Sequence, residues 1–241
     1  MAEYVSRSYV SRSKKFSNHF LIEVLPDNSW KDEDCYIIGG GPSLKRFNWS
    51  LLKGKKTIGI NRVYEKFDPS IIFSMDTRTI RWILEGNYGQ EAKDKFLKSK
   101  AYRAWLCTYI CRLPANIFII PVYINYSRGF KAFPLTMRDG IGHGNNSGYG
   151  AINLAVCLGV KRIYLLGFDM KINKSETHWH NGHYEGGKRI WMKQSVLEGF
   201  KQYFKHAANE IKRKTNVEVI NLNPDSGLDC FPKKDYKIRK Y

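Results

Sequence analysis

Three of the six histidines in this chain, His178, His180 and His183, sit in one stretch, SETHWHNGHYEGGKR. An imidazole, with an ordinary pKa of about 6.5, can take a proton from a hydroxyl at neutral pH or ligate a metal. The spacing H-x-H-x-x-H offers zinc-type donors, yet the stretch is glycine-rich and no cysteine stands near it. A substrate-facing base is therefore expected ahead of a metal site, with His178 first, His180 next and His183 third. Trp179 and Tyr184 interleave with the histidines, which suits a packed lid better than a solvated loop carrying histidines by chance.

The other residues with chemistry to offer stand at the ends of apolar runs. IIGGGPSL, Ile37 to Leu44, puts Gly39, Gly40 and Gly41 directly after a β-rich run. Glycines there let the chain turn sharply and let a phosphate or ribose approach the amides. Pro42 presets a helix start, and Ser43 adds a hydroxyl and a cap. The run lacks the Gly-Lys-Ser/Thr of a Walker loop and the spacing of GxGxxG, and a plain tight turn would use the same residues. Asn61 closes TIGIN and Asp76 closes SIIFSMD. An asparagine can bond a base or ribose edge, and an aspartate can hold a sugar hydroxyl or a metal ion. Either can also simply cap a helix. In HGNNSGYG, Asn146, Ser147 and Gly148 precede an apolar helical run, so they mark either caps or an anion site built from first-turn amides. LLGFDM ends on Asp169, which joins His178 and His180 as a third candidate catalytic residue.

The elements that must position these residues follow from the pattern between them. CYIIG, TIGIN, SIIFSMD, AYRAWLCTYI, ANIFIIPVY, KRIYLLGFDM and VEVINLN read as strands. FNWSLLKG, RVYEKF and TIRWIL read as short helices, and SGYGAINLAVCL as a buried one. A long amphipathic helix is expected from about Arg189 to Lys214, with Leu197, Phe200, Phe204, Ala207 and Ile211 on one face. Continuous apolar strands alternating with helices predict an α/β class: a Rossmann-like, doubly wound, mostly parallel sheet with helices on both faces. In such sheets ligands bind outside the carboxyl ends of the strands, where Gly39, Asn61, Asp76 and Asp169 would all lie.

At 241 residues, with 43% hydrophobic and 14% aromatic side chains, the chain can bury one sizeable core and is too apolar for a solvated coil. The expected organisation is a basic arm over 1–20, one catalytic domain over 21–225 and a basic tail over 226–241. No run approaches the roughly 18–20 apolar residues that span a bilayer, and the N-terminal residues lack the apolar core of a signal peptide, so a cytoplasmic protein is expected. The net charge of +18 points to a polyanionic partner, with nucleic acid first in line, unless it only reflects a lysine-rich composition. The five cysteines, an odd number, are expected to be reduced thiols, with Cys107 and Cys111 as packing residues.

Taken together, the strand followed by GGGPSL, the strand ending in Asn61, the strand ending in SMD and the run SGYGAINLAVCLGVKRIYLLGFD resemble a superfamily with two arms. One holds the archaeal 6-hydroxymethylpterin diphosphokinase-like proteins and their phage and bacterial kin, the other the bacterial sialyltransferases. The resemblance covers Cys35 to Asp169 well, reaches Asn223 weakly and leaves both basic ends unmatched. It implies that Gly39 to Ser43 hold a donor nucleotide, that Asn61 contacts it, and that Asn146, Ser147 and Gly148 fall on a Thr-Ser-Gly donor contact. It also implies that His178 lies near the base acting on the acceptor, and it matches Tyr123 and Tyr126 loosely to tyrosines at the leaving phosphate. One departure is Gly144, where the sialyltransferases carry a basic residue. Asp76 and Asp169 look more like the diphosphokinase arm, in which acidic groups would hold magnesium.

The favoured expectation is a glycosyltransferase. It would take a nucleotide-sugar donor and a glycan or modified DNA base as acceptor, with a histidine base and no metal. The alternatives are an ATP- and magnesium-dependent diphosphokinase and a non-catalytic nucleotide- or nucleic-acid-binding protein. Donor, acceptor and oligomeric state are not written in the residues.

Overall fold

The computed structural model describes residues 19–107, 113–114, 116–123, 132–172, 176, 178–180, 183–185, 188–190 and 193–236. Seven strands form one all-parallel sheet: β1 (Asp34–Ile38), β2 (Lys56–Ile60), β3 (Ile71–Ser74), β4 (Tyr102–Cys107), β5 (Phe118–Pro121), β6 (Arg162–Leu166) and β9 (Glu218–Asn221). Their order across the sheet is β5-β4-β3-β2-β1-β6-β9. The chain lays down the first five strands in one direction. It then returns through α4 (Ser147–Cys157) to place β6 on the other side of β1, and through α5 (Gln194–Lys214) to add β9. This is the predicted doubly wound α/β architecture, and its strand order reverses between β1 and β6.

Alternation within each strand sorts side chains to the two faces. Ile71 and Phe73 of β3, with Ala104 and Leu106 of β4, face the cluster built on α4 and α5. Ile72 and Trp105 face the opposite cluster, which holds Ile80 and Ile83 of α2 (Thr77–Leu84) and Phe96 of α3 (Gln90–Lys98). Both faces are covered, so the strands read as unbroken apolar runs. Among the described residues, no helix is long and apolar enough to cross a membrane.

Local structure departs from expectation in instructive places. FNWSLLKG shortens to one 3-10 turn, Trp49–Leu52, begun where the Asn48 side chain accepts the Ser50 amide, and a separate 3-10 turn, Pro42–Arg46, precedes it. RVYEKF shortens to one 3-10 turn, Val63–Glu65. The short helix α1 (Leu21–Val24) and α3 were both missed. α3 shows little periodicity because it buries only Ala92 and Phe96. α5 begins at Gln194 rather than Arg189. Lys188–Ile190 is instead a strand, β8, paired antiparallel with β7 (His183–Glu185), and the apolar helical spacing begins only at Leu197.

The expected tail also proves structural up to Tyr236. Residue 233 bridges to Asn221, Leu228 and Phe231 are buried, and Tyr236 packs on Phe47. The expected arm lies outside the described residues except for His19 and Phe20, which run beside Ile119 of β5. Cys107 is disulfide-bonded, which corrects the expectation of reduced thiols throughout, while Cys35, Cys157 and Cys230 are free. Cys111 lies outside the described residues.

Candidate functional site

The crevice where the strand order reverses is built from two turns pressed together. After β1, the Gly39 amide donates to Leu166 O and the Gly41 amide to Gly167 O, each at 2.8 Å. The turn after β6 supplies those carbonyls, with Gly167 at φ +69°. A Cβ on Gly41 would run into the Asp169 carboxylate and sit 2.6 Å from Gly167 O, and one on Gly39 would lie 2.9 Å from that same oxygen. These glycines are therefore required by the close approach of two backbones. The free approach of a phosphate, for which Gly39 and Gly41 were singled out, is not what claims their Cβ space.

Asp169 braces this arrangement. Its side chain is buried, one oxygen accepts the Ser43 amide at 2.8 Å, and the other accepts the Asn223 side-chain amide. The carboxylate so caps the 3-10 turn Pro42–Arg46 from across the crevice. Both oxygens of this candidate catalytic residue are thereby engaged within the chain. Pro42 is the first residue of that turn, as expected, and Ser43 is exposed on it.

The histidine stretch lies over the glycine turn. The Trp179 amide donates to Gly40 O at 2.9 Å, and Glu176 pairs with Lys45 at 2.5 Å. The His178 ring fills the space over Gly40, so that a Cβ there would lie 2.7 Å from His178 Cδ2. His180 stacks on His178 with ring centroids 4.8 Å apart, and its ring stands edge-on to Trp179 at 4.9 Å. Trp179 packs on Trp49, and its indole N–H is buried with no partner among the described residues. His183 begins β7.

Gly40→Val is expected to fold, since what it displaces is a side chain that can turn away. Moving His178 by an ångström or more should nevertheless cost about 100-fold in turnover. A thermal melt beside a turnover assay checks both halves of that expectation.

Asn61 follows β2, next to the glycine turn by the register that pairs Ile38 with Gly59. It adopts φ +55°, and its side-chain oxygen accepts the buried Ser74 hydroxyl at 2.8 Å. That bond orients the amide and leaves its N–H₂ group to donate elsewhere. Asp76 differs: it caps α2 through the Arg78 amide at 2.9 Å, and its carboxylate pairs with the Arg78 guanidinium.

α4 brings its N-terminus to the same crevice. Asn146 caps it, accepting the Tyr149 amide at 2.8 Å and donating to Gly144 O at 2.7 Å, so both ends of its amide are engaged. The first-turn amides of Ser147 and Gly148 remain as donors pointing out of the helix start. A Cβ on Gly148 would press on Phe168 Cε1 at 2.8 Å, and one on Gly39 on Phe168 Cε2 at 3.3 Å. One buried ring thus separates the glycine turn from the helix start. Phe168 was not singled out in the sequence, although an aromatic residue between Gly167 and Asp169 was a legible signal.

Gly144, the departure from the sialyltransferase pattern, has φ +54° and lies under the Tyr149 ring, which excludes any side chain. Tyr123 follows β5, four strand spacings from β1, or about 19 Å. Its amide donates to Ile141 O at 2.8 Å, in the segment that leads to α4. Tyr126 lies outside the described residues.

His143, beside the helix start, was also passed over. Its Nδ1 accepts the Asn145 amide at 3.1 Å, and burial pushes its pKa down to about 4. The unfolded chain, with the ordinary value of about 6.5, takes up this proton first as pH falls. The contribution of neutral His143 is then complete above about pH 6.5 and is lost between there and about pH 4. His143→Gln is expected to flatten the fall in stability over that window, as read by denaturant melts across pH.

Magnesium does not fit the acidic residues proposed for it. Asp76 and Asp169 follow β3 and β6, three strand spacings or about 14 Å apart, and each is engaged within the chain. Among the described residues, no three His, Cys, Asp or Glu side chains gather as metal ligands.

No family model and no curated protein sequence matches the chain. Solved structures similar to it in chain path include the sialyltransferase CstII from Campylobacter jejuni in complex with a substrate analogue, cytidine-5'-monophosphate. That likeness has 16% identity and a TM-score of 0.46 over 84% of this chain and 85% of that one. A second is the monofunctional α-2,3-sialyltransferase Cst-I from Campylobacter jejuni, at 18% identity and a TM-score of 0.42 over 84% and 80% of the two chains.

Proposed function

We propose that this protein is a nucleotide-sugar-dependent glycosyltransferase. Its donor would lie in the crevice between β1 and β6, and His178 would be the base that deprotonates an acceptor hydroxyl. The observation that carries this reading is the seating of the His178 imidazole on the glycine turn, where the strand order reverses. Ligands of open parallel sheets bind at that point, and a base must stand within reach of the proton it removes. The donor set suits a nucleotide. The Ser147 and Gly148 amides would face a phosphate, the Asn61 amide a ribose or base edge, and the Trp179 indole N–H is an unspent donor nearby in sequence to the histidines.

In the reaction, the acceptor oxygen attacks the anomeric carbon while its proton passes to the imidazole. The bond from that carbon to the nucleotide phosphate breaks, and the leaving nucleotide carries the electron pair. His180, stacked behind His178, and Trp179, tied to Gly40, hold the ring in place.

A nucleotide panel tests the first half of this reading. Cytidine and uridine nucleotides are expected to raise the melting temperature, because a ligand that binds only the native state stabilises it. Release of free nucleotide from the matching nucleotide-sugar, undiminished by chelators, tests the second. A response confined to ATP, with magnesium-dependent release of AMP, would return the diphosphokinase reading.

A further inference from the structure

The edge of the sheet opposite the crevice carries a second feature that the reaction does not use. Lys53 and Lys55 precede β2, and Lys98 and Lys100 precede β4, so all four stand at the N-terminal edge of the two strands that flank β3. All are exposed, and none of the four ammonium groups has a carboxylate or carbonyl partner among the described residues. The carboxylate that lines the cavity with Lys55 and Lys100, Asp68, is turned to its own chain, accepting from the Ser99 hydroxyl and the Lys100 amide. An open cavity of about 330 Å³ lies between Lys55 and Lys100, with Leu52, Phe67 and Pro69 in its wall.

Apolar side chains are interleaved with these charges. Leu97 is 45% exposed and Tyr102 37%, which places both beside Lys98 and Lys100 in the run LKSKAY. A polyanion recognised through its phosphates alone would find no use for an exposed leucine. A bilayer interface takes both kinds of group at once: it accepts leucine and tyrosine at headgroup level, while lysine stems lie along the apolar surface with their charges among phosphates. Lysine is also the suitable cation here, because a bilayer offers diffuse charge rather than a planar group for a guanidinium fork.

We propose that this edge docks on an anionic lipid bilayer. Leu97 and Tyr102 enter the headgroup layer, and the cavity between Lys55 and Lys100 receives a lipid phosphate. The crevice then faces away from the membrane, one strand length or roughly 13–20 Å above the docking edge. The inference is independent of the reaction assigned to the crevice.

Cosedimentation of the full chain with vesicles tests it, using phosphatidylcholine alone or mixed with phosphatidylglycerol. Binding is expected only to the mixed vesicles. The triple variant Lys55→Gln, Lys98→Gln, Lys100→Gln should bind on the order of 100-fold more weakly, at about fivefold per lysine. Lys171→Gln, Lys193→Gln, Lys205→Gln removes the same charge elsewhere and should cost only a few-fold. Leu97→Ser should weaken binding several-fold while leaving its salt dependence unchanged. Equal losses in the two triple variants would overturn the proposal, since the charge would then act without a surface. So would absence of vesicle binding together with duplex DNA binding that the first triple variant abolishes, which would make this edge a nucleic-acid surface.

Discussion

Replacing His178 by alanine is expected to lower turnover by about 100-fold or more, with the nucleotide Kd changed by no more than a few-fold. General bases contribute about 10²–10⁴-fold, and this one would act on the acceptor rather than on the donor. The pH profile separates a base from a side chain that merely holds the loop. Wild-type kcat/KM should fall on the acid side as the imidazole gains its proton, and His178→Ala should lose that limb. His180→Ala should keep the limb at a lower rate, because His180 stacks on His178 and so supports its ring. Full activity in His178→Ala, or an acid limb unchanged in it, would remove the histidine from the mechanism. Inactivation of the wild type by a chelator, with recovery on adding zinc, would turn the histidine pair into ligands.

The second large effect concerns stability. Asp169→Ala leaves the Ser43 amide and the Asn223 side-chain amide without their acceptor, each in a part-buried bond. An unsatisfied buried donor costs about 1–3 kcal/mol, and with water able to reach the exposed Ser43 the pair should cost about 2–4 kcal/mol. For a chain of this size, 1 kcal/mol shifts Tm by about 2–4 °C, which puts the expected fall at about 5–15 °C. Asp169→Asn should lie between, since it keeps one acceptor and sets a donor against a donor at the other oxygen. Nucleotide affinity should fall alongside stability as the turn over Pro42–Arg46 loosens. A variant that melts within a degree or two of wild type yet is inactive would reverse the assignment and make Asp169 a catalytic group.

The two predictions draw on different kinds of legibility. The sheet could be read in advance because each strand is buried on both faces. A run such as IIFS or AWLC is buried throughout and has no exposed side to obscure it, and alternation with helices leaves few ways to arrange parallel strands. Helices with weak amphipathic contrast could not be read so easily. α3 buries two side chains in nine residues, and the short turns around Asn48 depend on one side-chain bond to a backbone amide. The boundary of the tail was also hidden, because Leu228 and Phe231 are buried against a sheet edge that their local sequence does not announce.

For the site, the residues at strand ends were legible as candidates and their duties were not. Gly39, Gly40, Gly41, Asn61, Asp76, Asn146 and Asp169 share a position at the carboxyl edge of the sheet, and that much follows from residue order alone. Whether an aspartate faces a ligand or caps a turn depends on which amide lies opposite it, and the amide that engages Asp169 belongs to Ser43, 126 residues away. Likewise the three glycines were visible as a turn, but what approaches them is the β6 turn and the His178 ring. By itself, then, the sequence determined the α/β class, the parallel strands and the edge at which chemistry would gather, since burial and periodicity act locally along the chain. Only the tertiary structure decided that His178 meets Gly40, that Asp169 is a brace, and that Asp76 and Asp169 stand too far apart to share an ion. Those outcomes turn on strand order and on hydrogen bonds between residues far apart in sequence, which no local pattern encodes.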